Sequence, residues 1–234
     1  MDTMENLWRV LPWIDWAALV FFFAAWLGYA QFAHHRAAVG GSLLAATNRE
    51  RSLWMLQTTW RENRVIDGVV VQNLSVSPQF FASTTILIIG GLLAVLSTND
   101  RASEIVREIP FAARTSLLVF DLKIVLLLAI FVYAFFRFTW SLRQYSFGAL
   151  LVAAAPVHDR WTDDAQRLAF ADRAGRVMGL AAETFNDGLR AYYMSFAAIA
   201  WFFSPWALAG ASLGVLWILY RREFQSDVLA VLNA

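Results

Sequence analysis

Residues 116–155 read SLLVFDLKIVLLLAIFVYAFFRFTWSLRQYSFGALLVAAA. The stretch holds no proline, its only glycine is Gly148, and Pro156 ends it. An α-helix rises 1.5 Å per residue, so forty such residues make about 60 Å, twice the ~30 Å hydrocarbon thickness of a bilayer. Its first part, about 117–138, is apolar enough to cross a membrane. Its second part, about 139–155, carries the apolar run Tyr145–Ala155 past the membrane face and needs apolar partners there.

Three further stretches have the length and apolarity of a crossing: about 13–33, 79–97 and 193–220. Helices are the only spanning form for such runs, because bare backbone polar groups cannot be left in lipid. The 234-residue chain is 59% hydrophobic and only 16% charged, where a soluble domain keeps roughly 25% charged residues. Mean hydropathy is +0.51. The segment before Trp13 carries Asp2, Glu5 and one base, Arg9, and the apolar run after it is too long for a signal peptide; it reads as a span that stays. Aromatic ends fit as well, since several of the eleven Trp flank apolar runs, where the headgroup region favours them.

Outside the spans the pattern remains helical. Thr162-Asp163-Asp164 opens a helix with a capping hydroxyl and acids at the positive end of the dipole. That helix, about 162–191, has an apolar face of Phe170, Ala174, Val177, Met178, Ala181, Phe185, Leu189 and Tyr192. The opposite stripe is Asp172, Arg173, Arg176, Glu183, Asp187 and Arg190. Its mixed charge favours packing on protein over lying on a membrane surface. The segment about 42–72 is also helix-like, with charges all around its wheel. The expected fold is all-α: a four-helix polytopic membrane protein whose helices extend into a cytosolic helical bundle.

Arginine sets the expected orientation. Twelve bases fall in the two long segments between spans one and two and between spans three and four, against six elsewhere. This places those segments in the cytosol and the N-terminus outside. Arg221-Arg222, directly after the fourth span, run against that rule if the span is a single crossing. Pro205 in its middle permits either a kinked crossing, the preferred form, or a hairpin that returns the C-terminus to the cytosol.

Candidate functional residues follow from polarity at membrane depth. Lys123, Arg137, Ser141 and Gln144 share one stripe of the long helix with Ile130, Ala134 and Gly148, and intramembrane charges face bundle interiors or wet paths. A structural ion pair between Asp15 and Lys123 explains part of this equally well. A second cluster lies at the cytosolic mouth: Glu62, Asn63, Arg64, Asp67 and Asn73; Trp140 and Arg143; and Glu183, Asn186, Asp187 and Arg190. A hydrogen-bond network fixing the helix junctions is the simpler account of it. Small-residue stripes (Ala17, Ala24, Gly28; Ser83, Gly90, Ala94, Ser97; Ala197 to Gly214) suit close helix approach, and the last leads to an expected homo-oligomer.

Other chemistry is absent from the sequence. There is no cysteine, so no disulfide or thiolate site. No phosphate loop, nucleotide fingerprint, HExxH or nucleophile elbow occurs, and no catalytic residue, cofactor or metal site is expected. A net charge of +1 without a basic arm argues against nucleic acid.

The strings ENRVIDGVVVQNL (62–74), FFASTTILIIGGLLAVL (80–96), KIVLLLAIFVYAFFRFTWSLRQY (123–145), FNDGLRAYY (185–193) and LYRREF (219–224) resemble a bacterial and plant membrane protein family, the domain of unknown function 599. The resemblance covers about Asp15 to Phe224. It implies a four-span membrane protein, here of a bacterial inner membrane, and brings no cofactor and no catalytic residue. The expected function is a homo-oligomeric channel or transporter of a small polar or ionic solute. The alternatives are a membrane scaffold that binds a protein partner through its cytosolic helices, and a lipid-modifying membrane enzyme. Membrane lipid surrounds it in each case.

Overall fold

A computed structural model describes residues 11–98 and 116–233. Seven α-helices follow in order: α1 Trp13–Val39, α2 Leu43–Thr58, α3 Val65–Ser97, α4 Leu117–Ala154, α5 Asp164–Ala200, α6 Pro205–Phe224 and α7 Asp227–Leu232. A 3-10 turn, His158–Arg160, precedes α5. No strand occurs among the described residues. Three of the helices, α1, α3 and α4, are long and apolar enough to cross a membrane.

Local chemistry sets the boundaries. Gly40, at φ 92°, turns the chain out of α1 in a left-handed conformation that suits glycine. Ser42 then caps α2, its Oγ accepting the Ala45 N–H at 3.2 Å. At α5 the cap is Asp163, whose carboxylate accepts the Gln166 N–H at 2.7 Å, while Gln166 Oε1 accepts from the Thr162 N–H at 3.0 Å. The helix-like reading of 42–72 spans a real break. Residues 59–64 form a turn, and α3 starts behind Asn63, whose side chain accepts the Val65 N–H at 2.9 Å.

The stretch 193–220 is two helices rather than one. Its first eight residues complete α5, so the expected helix 162–191 and the start of the fourth span are one 37-residue element. The chain breaks at Trp201–Ser204, and Pro205 opens α6. Proline has no N–H to give and suits the first turn of a helix. Ser204 completes the start, its Oγ accepting the Ala207 N–H at 3.0 Å.

The helices divide into two compact units. The first takes residues up to Phe32, Thr85–Ala134 and Leu189–Tyr220. Its core includes Phe22, Ile124, Leu127, Ile130, Ala134, Met194, Ala197, Trp201 and Leu208. Tyr192 joins this core by a 2.7 Å hydrogen bond with Thr85 and an edge-on contact with Phe131. Within this unit the end of α5 runs antiparallel to α1: Arg190 lies over Tyr29, and Trp201 reaches Asp15. Helix α6 runs back the other way, because the Tyr220 ring sits 6.4 Å from that of Phe32. The end of α5 and α6 are therefore an antiparallel hairpin, with its tip at the proline break. The outward faces of α1, α3 and α6 carry Val20, Leu27, Ile86, Leu87, Leu213 and Trp217, a surface suited to lipid. The small residues Ala17, Ala24, Gly28, Ser83, Gly90 and Ala94 also face outward, and a Cβ added at Gly28 or Gly90 would meet nothing within 4 Å.

The second unit takes Ala33–Thr84, Phe135–Gly188 and the chain from Arg221 onward. Its core is Met55, Val71, Tyr145, Val152, Phe170, Ala174, Met178 and Ala181. The expected apolar face of α5 supplies half of these. Gly175 lets α5 approach α2 closely, since a Cβ there would stand 2.9 Å from the Ser52 Cα. Gly188 does the same beneath the Phe138 ring, at 2.5 Å. The expected polar stripe of α5 divides: Asp172, Arg173 and Arg176 are exposed, whereas Asp187 is buried. Arg190, in the first unit, is buried too.

Candidate functional site

Lys123 stands in the seventh position of α4 and is 2% exposed. It does not reach outward to headgroups. Its Nζ donates to the Trp201 carbonyl at 2.9 Å and lies 5.3 Å from the Trp201 ring centre and 5.6 Å from that of Phe202. The acceptor has a simple origin. In an unbroken helix the Trp201 carbonyl would take the N–H of residue 205, and that residue is proline. Pro205 thus frees the one carbonyl that Lys123 binds. On the other side of the indole, Trp201 Nε1 donates to Asp15 Oδ1 at 2.6 Å. Asp15 is itself buried and acts electrostatically on Lys123. Asp15 and Lys123 do not form the expected direct ion pair; each instead bonds Trp201, at the tip of the α5–α6 hairpin.

From Arg137 onward the expected stripe lies in the second unit. Arg137 pairs with Asp187 Oδ2. Asp187 Oδ1 faces His34 Nε2 at 3.5 Å, and His34 Nδ1 meets Glu183 at 2.5 Å. Helices α1, α4 and α5 thus meet in an imidazole, a guanidinium and two carboxylates. Ser141 donates to the Ala181 carbonyl at 2.7 Å, and Gly148 lies beneath Met178. Gln144 is half-buried, with its Oε1 lacking a hydrogen-bond partner.

The expected mouth cluster separates into distinct groups. One centres on Asp67, wholly buried in the first turn of α3. Its Oδ1 accepts from Trp54 Nε1 at 2.7 Å, from Thr58 Oγ1 at 3.0 Å and from Arg61. Beside it Arg64 donates to the Ala155 carbonyl at 2.6 Å and to that of Pro156. These are carbonyls that the end of α4 leaves without a helical partner. Arg167, which the sequence analysis left out, does the same for α2. It donates to the Thr59 and His158 carbonyls, both at 2.7 Å, and lies 3.8 Å from the Trp60 ring centre. Arg51 bonds Thr47 and Asn48; burial lowers its pKa, and the neighbouring Tyr145 partly offsets this.

Asn73, Trp140 and Arg143 join neither group; all three face outward, Arg143 over the Phe147 ring. Asn186 is half-buried. Among the described residues no group of three or more His, Asp or Glu is arranged to hold a metal ion.

A family described as a protein of unknown function, DUF599, matches residues 17–228. The chain belongs to that family. The match takes in all three polar centres of this DUF599 protein, since Asp67, Lys123, Arg137, Asp187 and Trp201 lie inside it and only Asp15 lies outside. No curated protein and no solved structure matches the chain.

Proposed function

We propose that this protein carries a small polar or ionic solute across the membrane, and that the Asp15–Lys123–Trp201 centre is its working site. The observation that supports this is a buried ammonium held on a carbonyl freed by a helix break. Charges at membrane depth are costly, and they recur where ions or protons move. Interrupted helices whose loosened backbone meets a charge are a recurring device of transporters. The Arg137–Asp187–His34–Glu183 group is a second polar station, reached by the same helix α4 at Arg137, fourteen residues after Lys123 in the sequence.

Reconstituted in liposomes, the protein should give flux of at least one solute in a panel of ions and small polar molecules. Lys123→Met should lower that flux tenfold or more, with protein insertion unchanged. Vesicles that stay tight across the panel would overturn the reading. The scaffold alternative has less surface than expected, because Asp187 and Arg190 turn inward and leave Asp172, Arg173 and Arg176 as the exposed charges of that stripe.

The hairpin also bears on orientation. If α6 returns the chain as this hairpin suggests, Arg221 and Arg222 count with the Arg-rich segments, fourteen bases against four. The proposed topology therefore has the N-terminus outside and the C-terminus in the cytosol. A C-terminal green fluorescent protein fusion should fluoresce and a C-terminal alkaline phosphatase fusion should be inactive. The opposite pair of results would rule this topology out.

A further inference from the structure

The second unit presents an apolar face that its own residues leave uncovered. Helix α3 contributes Val65, Ile66, Val69 and Val76, and helix α4 contributes Phe136, Trp140, Phe147 and Leu150. Their exposure runs from 40% at Phe147 to 68% at Val65. The two helices flank one groove of about 480 Å³, lined by Val65, Gly68, Val71, Ala149, Val152 and Ala153, with Glu62, Asn63 and Arg64 at its end.

Lipid does not account for the whole of this face. Helices of 33 and 38 residues are about 50 and 57 Å long, against ~30 Å of hydrocarbon. Some 20 Å of each therefore stands beyond the acyl chains. At the groove end, Glu62 has an 81% exposed side chain facing His158 at 3.8 Å, which marks that end as watered. Val65 and Ile66 lie within one turn of it.

We infer that this face is covered by a second copy of the same chain. The area is adequate. With roughly 90 Å² exposed on each of eight side chains, one copy offers roughly 700 Å², close to the ~800 Å² per partner of a stable interface. The charge pattern points to self-association. The polar residues among these side chains are neutral, Gln72 and Asn73, apart from Arg143, whose guanidinium lies 5.5 Å from the Phe147 ring centre. Between the groove end and Phe136 the face carries a single exposed charge, Arg143, and a largely apolar face is the kind that obligate homodimers bury. Two copies in one membrane share its normal, so a two-fold axis along that normal sets like face against like face. The interface assigned here is thus α3 and α4, not the small-residue stripe at 197–214.

This inference does not depend on the transport reading. The chain has no cysteine, so single cysteines can be placed in the full-length protein without background. In native membranes a short bismaleimide should convert Phe147→Cys, Leu150→Cys and Val69→Cys to a species of twice the chain mass. Yield at Arg176→Cys, an exposed position on α5, should be at least tenfold lower. Leu150→Glu, at a position already exposed, should move the extracted protein from dimer to monomer by light scattering. Cross-linking no stronger at Leu150 than at Arg176, a cross-link to a different protein, or a wild type that is monomeric in nanodiscs would each overturn the assignment.

Discussion

Replacing Asp67 by alanine should destabilise the protein by about 3 kcal/mol and lower its Tm in detergent by on the order of 10 °C. Asp67 is wholly buried and serves three donors from the stretch before it. Those donors do not count equally. Trp54 Nε1, which donates to Asp67, would be left unpaired, at about 1–3 kcal/mol. Thr58 keeps a bond to the Trp54 carbonyl at 3.0 Å, so its loss is partial. Arg61 has a 40% exposed side chain and would turn to water, which holds its share below about 1 kcal/mol. Asp67→Asn retains an acceptor and should lose less than half as much. A fall of under 3 °C for Asp67→Ala would mean that the turn 59–64 holds without its carboxylate. The far side of the same junction is Arg64 on the last carbonyls of α4, so both helix ends should loosen together.

How far this junction could be read from the sequence depends on the kind of force involved. The length of α4 was legible because it needs only the absence of breakers between Ser116 and Pro156, and the helix runs Leu117–Ala154. The apolar face of α5 was legible from its period, and Phe170, Ala174, Met178 and Ala181 are in the core. The break at 59–64 was not, because neither glycine nor proline marks it; the buried Arg167 and Asp67 hold it from outside the turn. The segments read as about 42–72 and 79–97 are joined by one helix, α3, which starts at Val65 and runs through the buried Pro78. Apolar helices tolerate proline when neighbours satisfy the freed groups. Lys123 and Arg137 of the stripe each find a polar partner, and both partners lie outside α4, where a pattern within one helix does not show them. His34 is not among the candidate residues read from polarity at membrane depth. The signal that could have found it is the Glu183–Asp187 pair, four residues apart on one helix face.

Trp201→Ala should be the most damaging change in the first unit, at about 3–5 kcal/mol. The side chain is 1% exposed, the largest among the fully buried ones, and it sits between Asp15 and Lys123. Removing it opens a cavity, takes the indole N–H from a buried carboxylate and removes the ring beneath an ammonium. Trp201→Phe separates these effects. It restores most of the volume and the ring face, so its cost should fall to about 1–3 kcal/mol, that of leaving Asp15 Oδ1 without its donor. Neither change touches the acceptor of Lys123, which is the backbone carbonyl that Pro205 frees. The informative comparison is therefore with Pro205→Ala. Alanine supplies an N–H that can close the helix onto the Trp201 carbonyl, in competition with Lys123. In that variant hydrogen exchange at residues 201–205 should slow while liposome flux falls. Slower exchange with flux unchanged would separate the hairpin tip from transport. Trp201→Phe and Pro205→Ala thus act on opposite sides of one residue, its side chain and its carbonyl, and only the second bears on whether the break itself is used.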